Sequence, residues 1–595
     1  MSGVGLVICN PFGYEAICSH RSVRAFAEAA AEIGIPALRF DYLGAGDSAD
    51  IEPQANQLDV WSQDIVAAIL ELQRRTGVER VCLLGFRLGA LLAVLAASQC
   101  KAVCGLVLIA PVVSGRRYLR ELRTTRLASR LGEASAESES LSPPEDQPAI
   151  PGSMEVSGFS FSAATLASLA QVDLTQRSAP LASEILVIDS SSLPIARPWV
   201  DALTAAGVPT EHHTLPGMVE MLMTDPQFAV VPQRMVAAMR NWLPRFQRAP
   251  LAQPEIAGRA LDREWVAPTP VLRLPGDPAT PQAVVSERPV FLASEAILFG
   301  IVTEPHQGDK RRRGVILLTV GAEHHIGSSR MYVSLARHWA RHGYTVMRLD
   351  LAGLGDSGTR PGRPNDEVFP PAAIEDIRIA VEFMRSRYGI GDITLGGLCS
   401  GAYHSLRAAI AALPVNRILL VNPMNFLWNE GLTAGDLQLE VDVARNVGFY
   451  RDRVFSAAIW KRILTGRFNI WRIARILMQR PLLDFESKLH DLARSFRIHM
   501  RRDLGWELEE IGARGVKMVF VFARGEPGLD VLRLQGGSAV KRLGDRCLIH
   551  IIDSADHIFS HTATREELKR ILSDELFARN PGDDDTPRMK LERGQ

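Results

Sequence analysis

The chain has 595 residues, 47% of them hydrophobic and 23% charged, with 67 basic side chains against 67 acidic ones. That length exceeds one ordinary core and asks for two to four domains, and the composition is that of a globular protein. A formal net charge of zero gives no electrostatic case for a nucleic-acid partner, and no apolar run reaches membrane-spanning length.

The seven cysteines (Cys9, Cys18, Cys82, Cys100, Cys104, Cys399 and Cys547) are scattered and form no C-x-x-C pair. An odd number set in apolar runs fits a reducing compartment better than a disulfide framework. Met1-Ser2-Gly3 leads straight into an apolar strand, without the basic stretch or cleavage site of a secretion signal. A cytoplasmic protein without a transmembrane segment is the expectation.

Residues 5–10 read as a buried strand, 22–33 as a helix and 36–41 as a second strand. The loop Gly44-Ala45-Gly46-Asp47-Ser48 follows, then a helix over 61–75 and the strand 81–84. That strand runs into Gly85-Phe86-Arg87-Leu88-Gly89, and further strands are expected at 105–109, 184–188 and 211–214. A Pro-rich stretch from about 250 to 289 reads as a linker, and 290–303 as an added hairpin. The pattern then repeats: strand 314–319, helix 331–342, strand 344–350, loop Gly353-Leu354-Gly355-Asp356-Ser357, helix 374–388 and strand 392–395. Here the sharp turn is Gly397-Leu398-Cys399-Ser400-Gly401, followed by strands at 417–421, 517–522 and 547–552. Continuous apolar strands alternating with amphipathic helices mean parallel sheets covered on both faces.

The match of Arg39-Phe40-Asp41-Tyr42-Leu43-Gly44-Ala45-Gly46-Asp47-Ser48 to Arg348-Leu349-Asp350-Leu351-Ala352-Gly353-Leu354-Gly355-Asp356-Ser357 is too long for coincidence. One chain carries two copies of one fold. Both turns have the G-x-Nuc-x-G form that exposes a nucleophile between strand and helix. Cys399 suits that place, whereas the guanidinium of Arg87 stays protonated and cannot attack a carbonyl.

By these elbows, the strand order and the repeated Gly-x-Gly-Asp-Ser loops, each half resembles the α/β-hydrolase superfamily. The nearer resemblance is to serine aminopeptidase-like hydrolases, and among them to the pair associated with bacterial exosortase and exopolysaccharide gene clusters. It rests on Asn10-Pro11-Phe12-Gly13-Tyr14-Glu15 with Leu38-Arg39-Phe40-Asp41, and on His325-Ile326-Gly327-Ser328-Ser329-Arg330 with the Asp350–Ser357 stretch. The resemblance implies an α/β chain of two tandem α/β-hydrolase domains, each a mostly parallel sheet flanked by helices with a cap insertion. The expected boundaries are 1–247 (cap about 113–180), a linker 248–288, 289–579 (cap about 424–512) and a disordered tail 580–595. A Ser/Glu/Pro-rich stretch lies in the first cap, and Trp460 and Trp471 in the second.

The superfamily order of nucleophile, acid and histidine falls on Cys399, then Glu526 or Asp530, then His557. Glu526 is the preferred acid, with Asp530 as the alternative. The oxyanion hole is expected from the backbone N–H of Ser400 and of Ala322 or Gly321. In the first half Arg87 replaces the nucleophile and Val219 stands where the family has histidine, so that copy reads as a pseudoenzyme. The adjacent His324 and His325 have no third ligand at usable spacing, so no metal is expected, and no cofactor either. The expected activity is acyl transfer through a Cys399 thioester, hydrolysing an ester, thioester or amide of a small-molecule substrate, free or carrier-bound. An acyltransferase, or a non-catalytic binding or scaffold protein, is the alternative, and a homo-oligomer is left open.

Overall fold

The computed structural model describes residues 3–136, 150–176, 182–192, 194–247, 271–273, 284–306, 312–426, 489–494 and 503–578, with Phe496, Ile498 and Met500. The first half contributes β1 (Val4–Cys9), β2 (Ala37–Arg39), β3 (Arg80–Phe86), β4 (Val103–Ile109), β5 (Met154–Val156), β6 (Phe159–Phe161), β7 (Glu184–Ser190) and β8 (Thr210–Leu215). Six of these make an all-parallel sheet in the order β2-β1-β3-β4-β7-β8, while β5 and β6 pair as a separate hairpin. Strands β1 and β4 are buried along their whole length, as a sheet covered by helices on both faces requires. Trp61, on the helix Gln57–Thr76, anchors one covering layer by packing on Phe12 and Tyr42.

The second half supplies β9 (Val271–Arg273), β10 (Val284–Leu292), β11 (Leu298–Pro305), β12 (Arg313–Leu318), β13 (Thr345–Leu349), β14 (Asp392–Leu398), β15 (Arg417–Val421), β16 (Lys517–Ala523) and β17 (Cys547–Ile552). They form one nine-stranded sheet, β17-β16-β15-β14-β12-β13-β11-β10-β9. Its parallel part, β13 through β17, has the same crossover order as the first sheet; β11, β10 and β9 add antiparallel strands on the β13 edge. The expected hairpin is therefore real but longer. The sheet also reaches back into the stretch read as linker, 248–288, which contains β9 and the start of β10. Proline hid it: Pro289 lies on β10 itself, beyond the three residues that pair with β9.

The first insertion holds the helix Gly115–Ala136, the β5–β6 hairpin and the helix Ala163–Gln171. Its Ser/Glu/Pro-rich part at 137–149, most of the second insertion including Trp460 and Trp471, and the tail from 580 lie outside the described residues. No described helix is long and apolar enough to cross a membrane.

The repeated Gly-x-Gly-Asp-Ser loops explain themselves in pairs. Each folds around the aspartate that ends the preceding strand. Asp47 N donates to Asp41 Oδ2 at 3.0 Å, and Asp356 N to Asp350 Oδ2 at 2.9 Å. The Ser48 hydroxyl donates to Asp41 O at 2.6 Å and the Ser357 hydroxyl to Asp350 O at 2.7 Å. Gly46 and Gly355, at φ +48° and +53°, sit so close to these carboxylates that a Cβ would come within 2.0 and 2.3 Å of an oxygen.

Each loop then crosses to the other half. Asp47 pairs with Arg348 and with His325 Nε2 (2.7 Å); Asp356 pairs with Arg39 (2.6 Å) and lies 3.4 Å from His20 Nε2. Arg39 and Arg348 hold the same place in the repeat, so the contact is reciprocal. Arg330 and Arg337 donate to carbonyls of the first loop, and Arg24 to Ser357 O of the second. Ile17 and Phe159 pack against Ile326 and Val333 beside this charged seam. The two halves are one packed body across it.

Burial alone would raise the Asp47 pKa, but Arg348 and His325 hold it well below the usual carboxylate range. Burial would likewise discharge His325, yet Asp350 and Asp47, one at each ring nitrogen, raise it well above an ordinary histidine. The resulting stabilisation is complete below the unfolded-state value of about 6.5 and is lost as pH rises through the raised folded value. Thermal unfolding followed across pH should therefore show an alkaline loss of stability in the wild type that is smaller in His325→Gln.

Candidate active site

Two sharp turns with nearly the same backbone sit at corresponding places in the two sheets. Cys399, between β14 and the helix Ser400–Ile410, has φ 55° and ψ −111°; Arg87, between β3 and the helix Leu88–Ala97, has φ 51° and ψ −116°. Neither residue is glycine, so both turns hold a side chain in a costly conformation. The flanking glycines make this feasible. A Cβ on Gly401 would lie 2.5 Å from Leu318 O, and one on Gly89 would lie 2.2 Å from Asn10 O. Tyr332 steadies the second turn, accepting from Leu398 N at 2.8 Å and donating to Leu318 O at 3.0 Å.

Cys399 is a free, half-buried thiol. Its neighbour Ser400 is buried, and the Ser400 hydroxyl oxygen accepts from Gly321 N at 2.7 Å. The Gly321 N–H is therefore occupied, and the Ala322 N–H, next in the chain, has no partner among the described residues. His557, in the loop after β17, has Nδ1 2.6 Å from Glu526 Oε1 and also interacts with the Cys399 thiol. Burial acts against its charge, but Cys399 and Glu526 raise its pKa well above an ordinary histidine. Glu526 opens the helix Pro527–Gly536 with its side chain 8% exposed, whereas Asp530, one turn on, is 47% exposed and lies 3.6 Å from Arg533. Of the two carboxylates read from the sequence, the structure brings Glu526 to the histidine and leaves Asp530 outside.

Asn422 escaped the sequence reading. It follows β15 at φ 41°, fully buried, and its side chain ties two catalytic-candidate loops together. Nδ2 donates to His557 O at 2.7 Å and Oδ1 accepts from Ala523 N at 2.8 Å, so one amide sets the spacing of the acid and histidine segments. The available signal was its register: Asn422 follows Cys399 by 23 positions, as Ala110 follows Arg87 by 23. Ala110 also has positive φ (44°) but carries no amide.

The first half keeps the turn and sets different side chains around it. Arg87 is buried between Glu15 (3.1 Å) and Glu121 (2.6 Å), with its guanidinium 5.5 Å from the Tyr118 ring centroid. A cavity of about 210 Å³ lies beside it, lined in part by Val112, Val113 and Ile195. Val219 sits on the short helix Met218–Leu222 and is 40% exposed. Asp189 is buried but accepts from Ser190 N and Ala196 N, which fixes its own loop.

Contrary to the expectation that His324 and His325 lack a third potential ligand, His325, Asp350 and Asp356 bring ligand-type atoms within 4.8 Å of one another. Sequence spacing could not reveal it, because the cluster is assembled by tertiary packing. Arg39 already holds Asp356, and both His325 nitrogens face carboxylates, so a dication would have to displace these contacts. The cluster accounts for itself as part of the seam.

Residues 17–171 match the family profile described as serine aminopeptidase, S33, and residues 316–573 match that described as the alpha/beta hydrolase family. Among solved structures, an alpha-beta serine hydrolase homologue from Coxiella burnetii is similar at 14% identity with a TM-score of 0.29, over 49% of this chain and 97% of that one. An alpha/beta serine hydrolase without a lid from Xanthomonas campestris gives the same values, 14%, 0.29, 49% and 97%. An esterase from Pyrococcus furiosus matches at 14% identity and TM-score 0.29, over 49% of this chain and 90% of its own. No curated protein matches the chain.

The geometry around His557 makes a sharp prediction. The Glu526 carboxylate on Nδ1 favours a protonated His557, and a cation beside a thiol speeds its alkylation. Iodoacetamide alkylation of Cys399 at pH 7 should slow in Glu526→Gln and stay unchanged in Asp530→Asn.

Proposed function

The chain belongs to the α/β-hydrolase superfamily, in two tandem copies, and on that premise we propose that its second half is an acyl-transferring hydrolase with Cys399 as nucleophile. The observation that carries this reading is His557, with Glu526 on Nδ1 at 2.6 Å and the Cys399 thiol near enough to act on its charge, beside the turn that carries Cys399.

In this reading Cys399 Sγ attacks the carbonyl carbon of an ester, thioester or amide, and the thiol proton passes to His557 Nε2. Glu526 keeps Nδ1–H in place and stabilises the imidazolium. The oxyanion takes hydrogen bonds from the N–H groups of Ser400 and Ala322, each contributing about 3–4 kcal/mol to the transition state. Gly321, the other candidate donor, is excluded because its N–H serves the Ser400 hydroxyl. Collapse breaks the bond to the leaving group, which receives the proton from His557, and leaves an acyl thioester on Cys399. Water, deprotonated by His557, attacks that thioester, releases the carboxylic acid and restores the thiol. An amine or thiol acceptor in place of water would make the same intermediate an acyl donor.

The first half is, on this reading, a pseudoenzyme. Its Arg87 is neutralised by Glu15 and Glu121, and neither a histidine at position 219 nor an amide at position 110 is present. Either loss of nucleophile or loss of base alone would remove most triad catalysis.

Intact-mass analysis after incubation with a panel of acyl thioesters and activated esters tests the proposal. The wild type should gain an acyl mass or consume a panel member, and Cys399→Ala should do neither. Equal turnover by Cys399→Ala on every accepted substrate would reject a Cys399 intermediate. Mass transfer from the adduct to an added amine or thiol in preference to water would make the enzyme an acyltransferase.

A further inference from the structure

The loop that carries the Ala322 amide is seated on the other half of the molecule. His324 stacks on His20 of the first half, with ring centroids 4.0 Å apart and planes 14° from parallel. Next in the chain, His325 is buried and bridges the halves: Nδ1 is 2.8 Å from Asp350 Oδ2 of its own half and Nε2 is 2.7 Å from Asp47 Oδ2 of the first. Ile326 packs on Ile17 and Phe159. Arg330 closes the segment by donating through Nε to Gly46 O at 2.7 Å. Four positions within nine residues of the proposed oxyanion donor thus rest on the half that has no nucleophile.

Within the loop the segment is short and tightly turned. Glu323 N donates to Val320 O at 2.9 Å, Gly327 N to His324 O at 3.0 Å, and the Ser328 hydroxyl to Glu323 Oε2 at 2.9 Å. A shift of His325 is therefore passed to Ala322 with little slack between them. Both ring nitrogens of His325 face carboxylates, so both carry protons, and loss of the Asp47 charge would leave a buried N–H and part of the Arg348 guanidinium without their partner.

We propose that Asp47, from the first half, is a positioning residue for the second half: through His325 it fixes the Ala322 amide where the oxyanion forms. The inference rests on the Cys399 reading above and gives the first half a role that needs no chemistry of its own. A second ion pair between the halves, Arg21 with Asp366, supplies a control. It ties the first half to the second without touching the oxyanion segment 322–330.

The test uses two reactions of the same sulfur in the full-length chain. Alkylation by iodoacetamide displaces iodide at a saturated carbon and forms no oxyanion. Acylation by an activated ester passes through a tetrahedral oxyanion and needs the hole. Misplacement of one donor costs about a hundredfold in acylation. Asp47→Asn should lower the acylation rate of Cys399 about a hundredfold while alkylation stays within about twofold, and Arg21→Gln should leave the ratio of the two rates unchanged. Asp47→Glu keeps the charge across the seam with a longer reach. It should give an intermediate ratio, and it stands in for Asp47→Asn if that variant does not fold. A ratio unchanged in both Asp47 variants overturns the inference while leaving Cys399 as nucleophile. An equal fall in Arg21→Gln also overturns it, since the effect would then belong to seam integrity. Alkylation without any Cys399-dependent acylation in the wild type rejects the nucleophile reading and this inference together.

Discussion

The organisation of the molecule depends on an exchange of half-buried aspartates between its halves; one of them, Asp47, meets the fully buried Arg348 and His325. In each copy a loop is wound around one carboxylate, Asp41 or Asp350, and the winding aims a second carboxylate, Asp47 or Asp356, into the opposite copy. Charges buried at this depth are tolerable only when fully paired, because desolvation costs several kcal/mol per ion and only close partners offset it. Arg348 is wholly buried, with Asp47 and Glu287 around it, and it cannot be left half-paired. That requirement fixes the relative placement of the two sheets more sharply than the small apolar cluster of Ile17, Ile326 and Val333 beside it could.

The two copies share a backbone but not its side chains: the elbow has the same conformation in both to within a few degrees, with Arg87 in the first and Cys399 in the second. The glycines that allow helix and strand to touch are structural needs of the fold, so they persist without chemistry. On the proposed reading, what differs between the copies is the set of groups that would serve a reacting centre: Arg87 stands at the place of Cys399, Ala110 at that of Asn422 and, by the family resemblance, Val219 at that of the histidine. Arg87 fills its site with an internal ion pair, a stable end state for a turn that must carry some side chain.

The halves are bound in a way that gives the first half a place beside the proposed site of the second. The seam does not run past the candidate active site at a distance; it includes residues 324–326 and 330, which follow directly on the proposed oxyanion donor. A site whose second donor is placed by a neighbouring domain is preorganised by tertiary contact, and preorganised donors are where hydrolytic transition states gain most of their stabilisation.

The sequence by itself determined the mostly parallel character of the two sheets, their main strands and their elbows. Strand burial, the strand–turn–helix pattern and the glycine spacing are local properties with fixed periods, and they can be read along the chain. It also reduced the acid to two carboxylates four positions apart. Only the tertiary structure decided between them, because Glu526 and Asp530 differ in direction from one helix end and not in type or neighbourhood. The short strand β9 and the early start of β10 were lost in proline-rich composition, since edge pairing tolerates residues that otherwise signal a linker. Asn422 and Asp47 were beyond reach for a related reason. Each acts on groups more than a hundred residues away, and no periodicity along a chain encodes which distant backbone amide or buried ring a side chain will meet once the sheets have packed.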